Sequence, residues 1–301
     1  MNHFIMLVGA PASGKSTWAE KMCRGYVIVS SDAIRGELYG DESIQGDPAK
    51  VFEIAHERIL KAIESGQAVV FDATNMKYKN RMAIMRKLEK FTHLNKECHI
   101  FAEPYLVLMG RNEKRERKVP EDVIWRMIRG FEMPTRAEGY NRIVVHNTVS
   151  IKTEVVIDEA VGFDQCNHHH SLSLYGHCKA ARDYIVEKVV TDNWNKLQNL
   201  ADAAFFHDFG KLDTQTFFNS KGIETIEAHY YDHHNVGAYW VLMYDEPWDE
   251  LDRIYIAQLI CYHMLPYLLK TEQAEKRWRE RIGDQLWEDV LVLHEADVAA
   301  H

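Results

Sequence analysis

The segment Gly9-Ala10-Pro11-Ala12-Ser13-Gly14-Lys15-Ser16-Thr17 follows directly on the apolar run Phe4-Ile5-Met6-Leu7-Val8, and it constrains this chain more than any other feature. It satisfies G-x-x-x-x-G-K-[ST] between a strand and a helical segment, the setting in which that spacing has physical meaning. Glycines let backbone N–H groups turn inward around phosphate oxygens, and the helix that follows presents its positive dipole end. Lys15 adds a point charge and Ser16 offers a hydroxyl to Mg²⁺. Further strands are expected at Tyr26 to Ser30, Ala68 to Asp72, Glu97 to Phe101 and Arg142 to Val145, with helical patterns between them. Strands alternating with helices describe a parallel sheet covered on both faces.

Beyond that half the pattern changes. Leu174 to Val190, Leu197 to Phe206, Asn235 to Met243, Leu251 to Leu265 and Trp278 to Ala300 all have helical apolar spacing, and convincing β-runs are few. With 301 residues the chain has room for two cores. We expect an α/β domain over 1–157 and an all-α domain over 158–301. The hydrophobic content of 46% with 27% charged residues excludes wholesale disorder and a fibrous repeat. No apolar run is long enough for a membrane span, and the first residues carry no basic n-region, so a cytoplasmic protein is expected. The five cysteines are scattered without a C-x-x-C pair, which argues against a disulfide framework or a cysteine zinc site. Histidine is the outlier: 11 of 16 fall from position 168 onward.

Open α/β sheets bind ligands at their strand ends. The second expected strand runs into Ser30-Ser31-Asp32, and Arg35 follows one helical turn later. Asp32 could take a proton from an acceptor hydroxyl, and Arg35 could hold an acceptor phosphate bidentately. A plainer alternative makes Asp32 an N-cap and Arg35 a surface residue. Asp72 ends the third strand, where a carboxylate can act on the hydration shell of Mg²⁺. Arg111 to Lys118 then carries five basic residues in eight before Pro120, expected to stop the helix. An arginine delivered from a lid at that position would stabilise charge on a transferring phosphoryl group.

The segments Gly9 to Trp18, Ser31-Asp32-Ala33-Ile34-Arg35 and Arg111-Asn112-Glu113-Lys114-Arg115 through Val119-Pro120 to Ile124 together resemble the bacteriophage-type polynucleotide 5′-kinases. The resemblance covers about half the chain. It implies transfer of the γ-phosphoryl group of ATP or another NTP, with Mg²⁺, to a 5′-hydroxyl end of RNA or DNA. Asp32 would be the general base, Arg35 the clamp on the acceptor's adjacent phosphate, and Arg115 the transition-state arginine assisted by Arg111. One departure is Asp72-Ala73-Thr74-Asn75, one residue longer than that family's pattern, which leaves Thr74 and Asn75 without an assigned role.

In the second half, His207-Asp208 ends the apolar run Ala203 to Phe206, His177 lies in an amphipathic segment, His263 interrupts Ile254 to Leu269, and Asp297 sits within Leu293 to Ala299. Ionisable groups on apolar helix faces are costly unless paired or metal-bound. Imidazole and carboxylate ligands suit Mn, Fe, Co, Ni, Cu or Zn without choosing among them. The order His, His-Asp, Asp, with His-Asp-x-Gly-Lys (207 to 211) and His-His-Asn-Val-Gly-Ala (233 to 238), resembles the HD phosphohydrolase superfamily. That resemblance implies His177, His207, Asp208 and Asp297 as ligands of a divalent metal. Lys211, His233 and His263 would contact substrate phosphate or a second ion, with His234 the competitor to His233. His229 and His294 are expected at the surface or behind the ligands, and His168-His169-His170 in a solvated turn.

A 5′-kinase joined to a metal phosphohydrolase resembles the fused kinase and HD repair proteins. The expected function is healing of nucleic-acid ends, RNA favoured over DNA: phosphorylation of 5′-hydroxyls and removal of 2′,3′-cyclic, 2′- or 3′-phosphates, ahead of a ligase. The net charge of −9 fits contact with a few terminal nucleotides rather than a broad nucleic-acid surface. A homo-oligomer is compatible with the sequence, and no membrane partner is expected. Two alternatives stand beside this one. One is a nucleoside-type kinase whose second half hydrolyses a nucleotide, the other a non-catalytic ATP-responsive switch.

Overall fold

The computed structural model describes residues 2–167 and 172–301, and the chain divides into two compact units. One comprises Met1–Met127 with Pro134–Thr148, the other Ile128–Met133 with Val149–His301. The second unit thus starts earlier than Asp158 and takes in a six-residue excursion from the middle of the chain.

The first unit is built on a five-stranded parallel sheet in the order β2-β3-β1-β4-β5. Its strands are β1 (His3–Gly9), β2 (Val27–Ser30), β3 (Val69–Asp72), β4 (Asn95–Phe101) and β5 (Arg142–His146). The flanking helices are α1 (Lys15–Met22), α2 (Ser31–Tyr39), α3 (Pro48–Glu64), α4 (Tyr78–Leu88), α5 (Tyr105–Glu113) and α6 (Glu121–Arg129), the last running on into the second unit. All five expected strands form, each within a residue or two of the apolar run that marks it. Phe4 to Val8 are buried, as strands covered on both faces require.

Two polar devices pin the ends of this sheet. Asn75, at φ 47°, donates from Nδ2 to Leu7 O of β1 at 2.9 Å, and Gly9 N donates to Thr74 O at 2.9 Å. Thr74 and Asn75 therefore brace the phosphate-binding loop from below. Arg81 is fully buried, pairs with both oxygens of Glu138 at 2.7 and 2.8 Å, and donates to the carbonyls of Asn75 and Met76.

In the second unit the helices are α7 (Thr153–Val161), α8 (Leu174–Lys188), α9 (Trp194–Phe206), α10 (Lys211–Thr214), α11 (His233–Val241), α12 (Glu250–Tyr262), α13 (Leu265–Leu268), α14 (Glu272–Ile282) and α15 (Asp284–Ala299); α8, α9, α11, α12 and α15 follow the expected runs, and α7, α10 and α13 are additional to them. Side chains cap four of them: Ser173, Asn193, Asp249 and Thr271 each accept from the backbone N–H three residues on. The expected helix from Trp278 to Ala300 is broken at Gly283, whose φ of 93° no helix interior allows.

The all-α expectation needs one correction. Strands β6 (Gln215–Phe218) and β7 (Glu224–Tyr230) form an antiparallel hairpin. Its turn is made by Asn219, which accepts from Lys221 N and Ile223 N, and by Gly222 at φ 74°. The hairpin is half-exposed, with Ile226 almost wholly in solvent, so it lacks the apolar run by which a buried strand announces itself. The excursion 128–133 packs within this unit: Phe131 lies edge-on to Tyr239 at 5.4 Å, and Met133 O accepts from Tyr262 Oη at 2.6 Å. Among the described residues no helix is long and apolar enough to cross a membrane.

Candidate functional sites

The β1–α1 loop opens onto a cavity of about 1200 Å³ within the first unit, lined by Pro11 to Trp18, Asp32, Arg35, Asp72 and the arginines 111, 115 and 117. Gly9 and Ala10 form the base of the loop. A Cβ on Gly9 would stand 2.7 Å from Phe101 O, so no larger residue fits against β4. Lys15 is buried and folds back on its own loop, donating to Ala10 O at 2.8 Å and to Ser13 Oγ at 3.2 Å. Burial pushes its ammonium down to about 8, although Asp72 and Asp32 pull it up. Ser16 and Thr17 open α1 with their side chains exposed, and Asp72 ends β3 in register with Ser30 of β2.

Ser30, not Asp32, caps α2: its Oγ accepts from Ala33 N at 3.3 Å. That leaves the Asp32 carboxylate to the guanidinium of Arg35, one turn on, which it binds through Oδ1. Its Oδ2 meets Arg117 at 3.3 Å.

The lid differs from expectation in how it is made. Helix α5 ends at Glu113, well before Pro120, and Pro120 O instead accepts from Ile124 N at the start of α6. What closes the loop is Asn112, whose side chain donates to Val119 O at 2.8 Å and accepts from Val119 N at 3.0 Å. This clasp closes the loop over residues 113–118, of which Arg115, Arg117 and Lys118 line the cavity. Arg111, at the base of the lid, is held by Glu103 at 3.1 Å and Thr148 at 2.6 Å, and Thr148 donates in turn to Glu103. Sequence reading missed Glu103, Thr148 and Arg117. The first two lie just past the ends of β4 and β5, and the strand-end rule could have found them. Arg117 was visible only as part of a charge run.

In the second unit the seven side chains singled out from the sequence come together. His177 stands on α8, His207 and Asp208 in the turn after α9, Lys211 on α10, His233 at the start of α11, His263 after α12 and Asp297 on α15, all buried. Each histidine has Nδ1 within reach of a backbone carbonyl: His207 of Ala204 at 2.7 Å, His233 of Tyr230 at 2.8 Å, His263 of Ile260 at 2.7 Å and His177 of Ala300 at 3.4 Å. A carbonyl only accepts, so this assigns the proton to Nδ1 and leaves Nε2 of a neutral ring as a lone pair. Those Nε2 atoms converge in pairs, His177 on His207 at 3.3 Å and His233 on His263 at 3.2 Å. Facing lone pairs at that range repel, and the cluster therefore calls for a proton or a metal ion between them.

The carboxylates complete the pattern. Asp297 Oδ1 lies 3.0 Å from His177 Nε2 and 3.4 Å from His207 Nε2. Asp208 divides its oxygens, Oδ2 toward His177 and His207 at 3.5 and 3.4 Å, Oδ1 toward His233 and His263 at 3.2 and 3.7 Å. Of three ligand groups among the described residues, His177-His207-Asp208 and Asp208-His233-His263 share one carboxylate and the third is His177-Asp297-His301; the donor set fits transition metals. Burial works against a charged His207, yet Asp208 and Asp297 hold it well above its ordinary range. Burial likewise opposes an ionised Asp208, but Lys211, at 2.5 Å, and His207 drive it well below the usual carboxylate range.

Several contacts escaped the sequence. Lys211 also donates to Gln165 at 3.0 Å and lies over the Tyr230 ring, Tyr267 donates to Asp297 at 2.9 Å, and His301 approaches Asp297 at 3.7 Å. Gln165 and Tyr230 come from a loop and the hairpin, where no periodicity marks them. His234 points elsewhere than its neighbour: burial lowers it to about 3, and its Nδ1 has no hydrogen-bond partner among the described residues. His229 stacks on Tyr231, and His294 lies edge-on to Tyr267. The triplet His168 to His170 lies outside the described residues.

Comparison with known proteins bears on the first unit. A family model described as an AAA domain matches residues 4–134. The chain is 23% identical over 172 residues to L-seryl-tRNA(Sec) kinase of Methanococcus maripaludis, a match over 54% of this chain and 66%, just under two thirds, of that protein. Among solved structures, a Pnkp1/Rnl/Hen1 RNA repair complex aligns at 22% identity over 43% of each chain, with a TM-score of 0.38. A gluconokinase from Sinorhizobium meliloti aligns at 21% identity over 50% of this chain and 84% of its own, with a TM-score of 0.36. With its sheet order and phosphate-binding loop, the first unit is a kinase-like P-loop domain.

Proposed function

We propose that this chain heals nucleic-acid ends, with RNA favoured, phosphorylating 5′-hydroxyls in its first unit and removing 2′,3′-cyclic, 2′- or 3′-phosphates in its second. The kinase reading rests above all on one observation: Asp32 and Arg35 line the same cavity as the phosphate-binding loop. The loop amides and Lys15 hold the β- and γ-phosphates of ATP or another NTP, and Ser16 and Asp72 are the residues suited to its Mg²⁺. Asp32 accepts the proton of the acceptor hydroxyl as its oxygen attacks the γ-phosphorus and the bond to the β-phosphate oxygen breaks. Arg115, with Arg111 fixed by Glu103 and Thr148, offsets charge on the transferring group.

The second unit supports an HD-type phosphohydrolase, with His177, His207, Asp208 and Asp297 holding a divalent transition metal. When bound, such an ion supplies Lewis-acid polarisation of a phosphoryl oxygen and activates water. Lys211, anchored by Gln165 and Asp208, and the pair His233 and His263 would orient the phosphate. The two compact units serve the two reactions, and a ligase would consume the product.

A labelled oligoribonucleotide with a 5′-hydroxyl and a 2′,3′-cyclic phosphate, incubated with ATP, Mg²⁺ and a panel of transition metals, tests both reactions at once. We expect a 5′-phosphate and a 3′-terminus freed of its cyclic phosphate. Asp32→Ala and Arg115→Ala should each abolish 5′-labelling while NTP binding persists. Label appearing on free nucleosides and never on the oligonucleotide overturns the end-healing reading, and turnover unchanged in both variants refutes these roles.

A further inference from the structure

Arg117 of the lid lines the cavity and turns toward Asp32, on the acceptor side. Its guanidinium meets Oδ2 of Asp32 at 3.3 Å, while Arg35 occupies Oδ1. Two guanidinium groups thus share one carboxylate and leave a net positive charge at that spot. Neither is fully used there. Arg35 binds through Nη1, and its buried Nε has no hydrogen-bond partner among the described residues. The Arg117 contact is an ion pair without hydrogen-bond geometry, and its buried Nη1 likewise lacks a hydrogen-bond partner. Asp41, a carboxylate that also acts on Arg117, is exposed and already accepts from Ser43 N.

An anion entering between these groups would find unspent N–H donors on two arginines, and guanidinium forks match phosphate oxygens in geometry as well as charge. Arg35 is presented from α2, a fixed element, and Arg117 from the lid. We propose that Arg35 and Arg117 together form an acceptor-side phosphate site, and that Arg117 passes from Asp32 to the acceptor's phosphate when the acceptor binds. In the absence of acceptor, Arg117 then occupies the carboxylate oxygen that must receive the hydroxyl proton. An acceptor whose phosphate lies next to its hydroxyl draws Arg117 away and frees the base, whereas a neutral acceptor has nothing to offer it. The site therefore selects hydroxyls that neighbour a phosphate, such as a 5′-hydroxyl nucleotide bearing a 3′-phosphate, over the corresponding nucleoside. This inference rests on the kinase role proposed above and deepens it.

The test compares a nucleoside with its 3′-monophosphate as 5′-hydroxyl acceptors, with Mg²⁺ and labelled NTP, in the unaltered chain, Arg117→Ala and Arg117→Lys. We expect the unaltered chain to favour the phosphorylated acceptor. In Arg117→Ala the KM for that acceptor should rise roughly 10- to 100-fold, the loss expected for a charge-assisted contact, and the ratio to the nucleoside should fall toward one. Arg117→Lys, which keeps the charge without the fork, should retain part of the preference. An equal change for both acceptors, or a change confined to the KM for NTP, places Arg117 on the donor side and overturns the proposal. Transfer to neither acceptor by the unaltered chain overturns the kinase reading itself, a failure visible before any variant is compared.

Discussion

Gly210 and Gly237 offer a sharp check on how the histidine cluster is positioned. Gly210 follows His207-Asp208 and caps α10 at a φ of −62°, so nothing in its backbone conformation requires glycine. What requires it is space. A Cβ there would stand 2.1 Å from His233 O and 2.6 Å from Gly237 N, both backbone atoms of α11. Ordinary contact begins above 3 Å, so Gly210→Ala must push α11 away by about 1 Å. Side chains cannot give way, and the cost belongs near the top of the overpacking range, about 3 kcal/mol. The displaced helix carries His233, whose Nε2 lies 3.2 Å from Asp208. Gly237, on the other side of the same contact, is different. A Cβ there would meet Gly210 N at 3.3 Å and Ile260 Cγ2 at 3.4 Å, tight but tolerable, and Gly237→Ala gains about 1 kcal/mol of helix propensity. We expect Gly210→Ala to lower the Tm of the second unit by roughly 6–12 °C and to suppress phosphate release, with Gly237→Ala near neutral in both. Calorimetry of the whole chain with each loaded metal, followed by a phosphate-release assay, reads both effects. Equal effects, or the reverse order, would refute the argument that backbone contact between these two glycines seats His233.

Other consequences follow from the same geometry. Asp208→Ala removes the carboxylate shared by both histidine pairs, so metal retained after dialysis and phosphate release should both be lost while 5′-labelling persists; loss of both activities would contradict independent sites. Lys15 in the free chain is charged below about pH 8 and neutral above it, so NTP affinity should be greatest below pH 8 and decline above, and Lys15→Met should flatten that profile in a binding titration. Glu138→Ala strands the Arg81 charge in a fully buried setting and should cost about 3–5 kcal/mol in urea unfolding of the first unit, whereas an exposed pair such as Lys90–Glu64 should cost less than about 1 kcal/mol.

Much of the fold was legible because its signals are local. Each apolar run of the first half became a strand of the sheet, and the Gly9 to Thr17 spacing stood in its strand-to-helix setting. Helices of the second half followed their apolar spacing and their caps. The hairpin over 215–230 and the break at Gly283 were not legible. The first is too exposed to carry a buried-strand pattern, and a single glycine inside a periodic run is ambiguous until its φ is known. Nor could residues 128–133 be assigned to the second unit, since Phe131 and Met133 are apolar wherever they pack.

The residue types able to do the chemistry were written in the sequence itself: a loop spaced to wrap phosphate, a carboxylate and arginine one helical turn apart, and histidines and aspartates set in apolar helices where charge is costly without a partner. Tertiary structure alone decided how those groups are wired. It set the Nδ1 proton of each cluster histidine by placing a carbonyl against it, and so turned the Nε2 lone pairs inward. It gave Asp208 two histidine pairs to serve, chose His233 over His234, and brought Arg117 to Asp32. Spacing along a chain says which side chains share a helical turn, but a contact across 30 or 123 residues depends on packing that no local pattern encodes.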